Sequence, residues 1–170
     1  LLNKAMKCPN SLHLIGLVSD GGVHSSMDHL FELCNIIRDK NIKNVFIHAF
    51  TDGRDTNPKS GITYIKKLLN HIENSNIKLA TIIGRYYAMD RDKRWERIAL
   101  AYNLLVNGNG QYFQNADEAI MASYNATITD EFIKPINLIN DNSPASKIKN
   151  GDSVICFNFR PDRMRQITHV

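Results

Sequence analysis

Four nearly continuous apolar runs, each leading into a polar loop, constrain this chain more than any other feature. They are LHLIGLV (residues 12–18), NVFIHAF (44–50), KLATIIG (78–84) and SVICFNF (153–159). Apolar runs without strict alternation read as strands covered on both faces. Amphipathic stretches fill the gaps. From Ser25 to about Lys40, Met27, Leu30, Phe31, Cys34 and Ile37 share one helical face, and Ser25 with Asp28 three residues on suggests a capping box. Further helices are expected from about Pro58 to Asn74 and from about Asp90 to Val106, the latter stopped by the glycines of NGNG. A short helix is expected near Ala116–Ser123, then a loop or edge strand through TDEFIKPINLI. Strands alternating with helices predict an α/β fold with a mainly parallel sheet flanked by helices.

The length, 170 residues, suits a single domain spanning 1–170. Hydrophobic residues make up 43% and charged residues 22%, an ordinary globular balance. The net charge of +4 suits a small acidic ligand as well as a nucleic acid. Cys8, Cys34 and Cys156 form no C-x-x-C pair and read as small hydrophobes in a reducing compartment. No signal peptide or spanning segment is visible, so a soluble cytoplasmic protein is expected. The opening LLNKAMKCPNS reads like the interior of a longer protein.

In open parallel sheets, ligands bind beyond the carboxyl ends of the strands. The loops there are SDGGVHSS, TDGRDTNP, GRYYAMDRDKR and FRPDRMR. Arg54, Arg85, Arg91, Arg160 and Arg163 all lie in them. Guanidinium groups grip phosphate and carboxylate in bidentate fashion. Arg91, Lys93 and Arg94 would fall in a first helical turn, where a cation opposes the helix dipole unless an anion sits nearby. Surface pairing with Asp52, Asp55, Asp90, Asp92 and Asp162 is the simpler alternative. Gly21-Gly22 and Gly53 permit tight turns. His24 would stand just ahead of a helix N-terminus, where it can meet an anion. Asp55 is the candidate proton acceptor for a substrate hydroxyl, with a purely structural role as its alternative. Asp20, His24, Asp28 and His29 are metal-ligand types, but Asp28 and His29 fall within a helix, and no metal site is assigned to this chain. No G-x-S-x-G motif points to a serine hydrolase. A nucleic-acid-binding module is the alternative function, supported by the basic balance and by RDKRWER.

LIGLVSDGGVHSSMDHL, HAFTDGRDTNPKS, GRYYAMDRDKRWER, TDEFIKP and NFRPDRMRQIT, in that spacing, resemble the signature segments of cofactor-independent (2,3-bisphosphoglycerate-independent) phosphoglycerate mutases. The similarity spans nearly the whole chain. It implies an isomerase of glycolysis and gluconeogenesis that interconverts 3-phosphoglycerate and 2-phosphoglycerate through a phosphoserine intermediate, without 2,3-bisphosphoglycerate. It implies two domains, with this chain the substrate-binding domain inserted in an alkaline-phosphatase-like one. The serine, a further substrate-binding lysine and two Mn2+ ions would lie outside this chain. Carried over by motif, His24, Arg54, Asp55, Arg85, Arg91, Arg160 and Arg163 would bind substrate, with Asp55 also the general acid and base. Pro161 stands where family members also carry alanine. A monomer is expected, as are chain ends that lie close together.

Overall fold

A computed structural model describes residues 10–140, 143–144 and 147–170. Cys8 and the N-terminal end, and with it the expected closeness of the chain ends, lie outside these residues. The strands are β1 (Leu12–Leu17), β2 (Val45–Thr51), β3 (Ile77–Gly84), β4 (Gln111–Phe113), β5 (Ile136–Asn140), β6 (Ser143–Pro144) and β7 (Ser153–Cys156). The α-helices are α1 (Met27–Asp39), α2 (Gly61–Ile72), α3 (Arg85–Ala88), α4 (Trp95–Tyr102), α5 (Ala116–Asn125) and α6 (Arg165–His169). The sheet runs β4-β5-β3-β2-β1-β7, with β6 paired to β5. β1 is parallel to β2 and β7, and β2 is parallel to β3. β5 runs antiparallel to β3, and β4 is parallel to β5. The α/β fold with a mainly parallel sheet is therefore as expected. The four apolar runs supply the mutually parallel strands β1, β2, β3 and β7.

Alternation along each strand divides the core into two layers. Leu12 and Leu14 of β1, with Val45, Ile47 and Ala49 of β2, pack under α1, α2 and α5. Ile15, Leu17, Phe50 and Ile83 face Ile98, Leu104, Met164 and Ile167 on the other side. Leu14, Leu30, Ile65 and Leu68 have no exposed surface. Truncating any of them to Ala should cost about 2–5 kcal/mol.

Four local expectations need correction. The capping box does not form: α1 begins at Met27 after Ser26, and no side chain caps it. Ser25 Oγ instead donates to the Leu17 carbonyl at 2.6 Å, tying the loop back to β1. The helix expected from Asp90 begins only at Trp95. Asp90 Oδ2 accepts the backbone N–H of Asp92 at 2.9 Å and of Arg94 at 3.0 Å, and Lys93 turns to φ +59°. Arg91 and Lys93 therefore precede the helix, and the dipole argument made for them lapses. The last apolar run ends as a strand at Cys156, not Phe159. Finally, β5 is not an edge strand but lies between β3 and β4. Gly108, in the NGNG segment, does close the helical run in the left-handed region at φ +73°.

A buried polar chain crosses the β1–β2–β3 face, from the start of β1 to the middle of β2 and β3. His13 Nε2 meets Asp152 Oδ2 at 3.1 Å, and His13 Nδ1 meets His48 Nε2 at 2.9 Å. His48 Nδ1 meets Thr81 Oγ1 at 2.9 Å. A carboxylate can only accept, so neutral rings order the chain: His13 donates to Asp152, His48 donates to His13, and Thr81 donates to His48. Burial holds both imidazoles below their ordinary value of 6.5, His48 at about 3, with Asp152 drawing His13 partly back. Below 6.5 the unfolded chain therefore binds protons that the folded chain does not, and stability must fall with acid. Burial would raise Asp152, but backbone bonds from Lys149 and Ser11 and the contact with His13 outweigh it and lower it, so its loss comes at still lower pH. The melting temperature of the chain should drop between about pH 7.5 and pH 5. His48→Gln, which cannot titrate, should flatten that slope. A flat profile in the parent chain would contradict the neutral chain of bonds.

Candidate functional site

Because β1, β2, β3 and β7 are parallel, their carboxyl ends deliver four loops to one edge of the sheet. Asp20, Asp52, Arg85 and Arg160 lie there, as expected. Each loop is shaped by local chemistry. Gly22 and Gly53 adopt φ +68° and +71°, the region open to glycine. Ser19 Oγ donates to Asp52 Oδ2 at 2.6 Å, joining the first loop to the second. Asp52 Oδ1 accepts the backbone N–H groups of Arg54 at 3.1 Å and Asp55 at 3.0 Å, which folds the GRD turn around it. The backbone N–H of Phe159 donates to the His24 carbonyl at 2.9 Å, joining the first loop to the fourth.

A fifth segment, TDEFIKP, clamps this assembly from below. Asp130 is fully buried and accepts from Gly61 N at 2.7 Å and Tyr124 Oη at 2.5 Å. Its carbonyl accepts from Thr51 Oγ1 at 2.7 Å, and the Gly84 N–H donates to the Ile133 carbonyl at 2.8 Å. A Cβ on Gly53 would lie 2.8 Å from Glu131 N, and one on Gly84 would meet the Glu131 carbonyl. Glycine at both positions lets the turn at Asp130–Phe132 seat directly on the ends of β2 and β3.

Arg85 stands at the centre, 4% exposed. Its Nη1 donates to Asp52 Oδ1 at 2.7 Å and to Asp55 Oδ2 at 2.5 Å, and its Nη2 lies 2.9 Å from His24 Nε2. Burial would raise Asp52, but the bonds from Ser19, Asp55 N and Arg85 prevail and hold it below the ordinary carboxylate value. Burial, then the Arg85 charge, lowers His24. Arginine can only donate, so Nε2 of a neutral His24 accepts and Nδ1 carries the proton. That buried Nδ1–H has no partner among the described residues.

Beside this cluster lies a cavity of about 370 Å³, lined by Arg54, Arg85, Arg91, Arg97 and Arg163, with Asp90, Asp92 and Glu131 among them. Arg163 Nη1 donates to the Met89 carbonyl at 3.3 Å, while its buried Nε has no partner among the described residues. Burial, then Arg91, Arg85 and Arg54, lowers the proton affinity of Arg163. Arg54 contacts Glu131 at 3.5 Å, and Arg91 contacts Asp162 at 3.3 Å.

Of the residues singled out in the sequence, Arg54, Arg85, Arg91 and Arg163 line one cavity, and His24 and Asp55 adjoin it through Arg85. Arg160 does not line it. Its side chain is paired with Asp162 at 2.8 Å, and Pro161 opens the turn that carries both. Sequence reasoning did not single out Arg97, which closes the segment GRYYAMDRDKRWER but lies in its helical end, beyond the loop. It also missed the clamp by Asp130, whose partners are 69 and 79 residues away. Asp20 is bonded to Tyr64, His24 to Arg85, and His29 packs against Phe159, so the metal-ligand alternative finds no convergence. The arginines line a concave pocket with carboxylates among them and form no open basic stripe, so the nucleic-acid alternative finds no support either.

These features define an α/β domain with a guanidinium-lined cavity at the carboxyl edge of its sheet. The chain belongs to the family described as "BPG-independent PGAM N-terminus", which matches residues 1–170. It is 51% identical over 168 residues to a 2,3-bisphosphoglycerate-independent phosphoglycerate mutase of Clostridium tetani, covering 98% of this chain and 33% of that protein. It is 56% identical over 160 residues to the protein of that name from Bacteroides thetaiotaomicron, covering 94% and 31%. A crystal structure of Leishmania mexicana phosphoglycerate mutase superimposes with a TM-score of 0.91 at 30% identity, over 99% of this chain and 33% of that one. The chain thus spans about a third of the length of these relatives.

The clamp yields a test that needs no activity. Gly84→Ala drives a methyl group into the Glu131 carbonyl, so it should destabilise the chain by about 1–3 kcal/mol in urea unfolding. An unchanged midpoint would mean that the turn does not bear on β3.

Proposed function

We propose that this chain is the substrate-holding domain of a 2,3-bisphosphoglycerate-independent phosphoglycerate mutase, an isomerase that interconverts 3-phosphoglycerate and 2-phosphoglycerate through a phosphoserine intermediate. The observation that carries the reading is the guanidinium-lined cavity, with the Nε of Arg163 and the Nδ1–H of His24 buried and without a partner among the described residues. Phosphoglycerate presents a phosphate and a carboxylate close together. Planar guanidinium forks suit both groups. On this reading Arg54, Arg91 and Arg163 grip the anionic groups. His24 donates through Nδ1 and Arg160 joins from the rim. Asp55 exchanges protons with the 2- and 3-hydroxyls, and Arg85 keeps its carboxylate in place.

A mutase must retain free glycerate while the phosphoryl group is away, which calls for a cleft closed by a second domain. Two Mn2+ ions and the phosphorylated serine belong to that second domain. Among the described residues no group of three His, Cys, Asp or Glu could hold a metal ion. Monomeric assembly, independence from a bisphosphoglycerate cofactor and a cytoplasmic location complete the reading. No described helix is long and apolar enough to cross a membrane.

Two substitutions in the full-length gene product divide the labour. Asp55→Asn keeps the shape of the side chain but not its proton chemistry. It should slow single-turnover transfer roughly 100- to 10,000-fold while affinity for 3-phosphoglycerate changes little. Arg163→Lys keeps the charge and loses the fork, so affinity should suffer first. A fully active Asp55→Asn enzyme would return Asp55 to a structural role. The isolated chain should show no mutase turnover and bind no manganese tightly, because the serine and the metal ligands lie elsewhere on this reading. Turnover by the pure chain would overturn that division.

A further inference from the structure

One guanidinium in the cavity has no role in the reading above. Arg97, in the first turn of α4, lines the cavity, but its bonds go to the protein. Its guanidinium lies over the Tyr86 ring, 3.8 Å from the centroid, and its Nη1 donates to Asp90 Oδ1 at 3.4 Å. The Arg97 side chain is 19% exposed and that of Asp90 only 2%. The second oxygen of Asp90 accepts the backbone N–H groups of Asp92 and Arg94. One buried carboxylate therefore shapes the backbone of residues 91–94, and Arg97 is its counter-charge. Arg91 sits inside that turn. Its own side chain is half exposed and touches Asp162 at 3.3 Å.

We propose that Arg97 is a positioning residue for Arg91: stacked on Tyr86, it holds the Asp90 carboxylate, and Asp90 holds the turn that presents Arg91 to the bound anion. The proposal rests on the phosphoglycerate reading for the identity of that anion. The planar group is what the place demands. A guanidinium can lie flat on an aromatic ring while its edge donates to a carboxylate, whereas an ammonium is a point charge on a flexible stem. Lysine at position 97 would preserve the charge of the cavity and lose the geometry. A residue that touched the anion itself would keep a loss of its own once Arg91 is removed. A residue that acts through Arg91 cannot.

The test is a double-mutant cycle in the full-length gene product, with 3-phosphoglycerate affinity read by calorimetry and turnover assayed alongside. Arg97→Lys should weaken binding roughly 10-fold, the size of one misaligned charge-assisted hydrogen bond. In an Arg91→Gln background the same change should have almost no further effect. Asp90→Asn keeps an acceptor oxygen for the backbone N–H groups but loses the ion pair. It should show the same dependence on Arg91, and it carries the test if Arg97→Lys fails to fold. Equal losses in both backgrounds would make Arg97 a direct ligand or a general structural element and overturn the proposal, as would unchanged affinity in Arg97→Lys. If the coupling appears in a wild-type protein that binds 3-phosphoglycerate but does not turn it over, the mutase reading falls and the role of Arg97 stands. If the wild-type protein binds no 3-phosphoglycerate, both fall.

Discussion

Arg85 is the interaction around which the carboxyl edge is organised. It follows directly on β3, and it bonds Asp52 and Asp55 of the second loop and His24 of the first. Burying a guanidinium is expensive unless its charge is matched and its donors are used. Here two carboxylates supply the match. The reverse dependence is as strong, since Asp52 is 1% exposed and needs Ser19, two backbone N–H groups and Arg85 to remain there. Removing the guanidinium would leave the buried Asp52 carboxylate uncompensated, a loss of about 3–5 kcal/mol in comparable cases. Such a network contributes little net stability relative to an apolar core, but it admits few alternative loop conformations. It sets where Asp55 and His24 can stand relative to the cavity.

Precision at that edge also depends on the turn at Asp130–Phe132, which approaches from the antiparallel half of the sheet. β5 runs against β3, so the chain enters this strand from the carboxyl edge of the parallel set. That direction places TDEFIKP beneath the loops that follow β2 and β3. Glu131 then reaches Arg54, and Phe132 packs near Tyr86 with ring centroids 5.0 Å apart. Tyr86 in turn supports Arg97. A strand direction is thereby converted into side-chain placement within the cavity.

Much of this was legible in the sequence, and the misses share a physical cause. The long apolar runs revealed the parallel strands because burial on both faces leaves no other pattern. The loops carrying Arg54, Arg85, Arg91 and Arg163 could be located from strand direction alone, since parallel strands must deliver their ends to one edge. β5 was hard to place because INLIN is short and its neighbours in the sheet are set by tertiary pairing. The start of α4 was misread because helical periodicity continues through Asp90–Arg94, where the Asp90 side chain competes for the backbone. Ser25 has the right type for a capping box but is drawn to the Leu17 carbonyl instead. His13 and His48 read only as strand residues, because their partners Asp152 and Thr81 come from elsewhere in the chain. Arg160 and Arg97 were hard to place for the same reason. Motif spacing put the first at the site, while packing turned it to Asp162 and brought the second to the cavity wall.

The electrostatics of the cavity explain why a stable fold would keep such an arrangement. Five guanidiniums face three lining carboxylates, and the carboxylates are already engaged in part: Asp90 with Arg97 and the backbone, Glu131 with Arg54. The surplus positive charge shows as a lowered proton affinity at Arg163, from burial first and from its arginine neighbours next. Two buried donors, Arg163 Nε and His24 Nδ1, lack protein acceptors among the described residues. Each such donor costs roughly 1–3 kcal/mol relative to one that is bonded. A core optimised for stability alone would not concentrate like charges and open donors at one edge. Local departures of this kind mark function in folds that are otherwise consistent. A neutral ligand could satisfy the donors but not the charge, and a simple halide the charge but not the spread of donors. An oxyanion with several acceptor oxygens answers both, and its binding would stabilise the folded state through the same contacts.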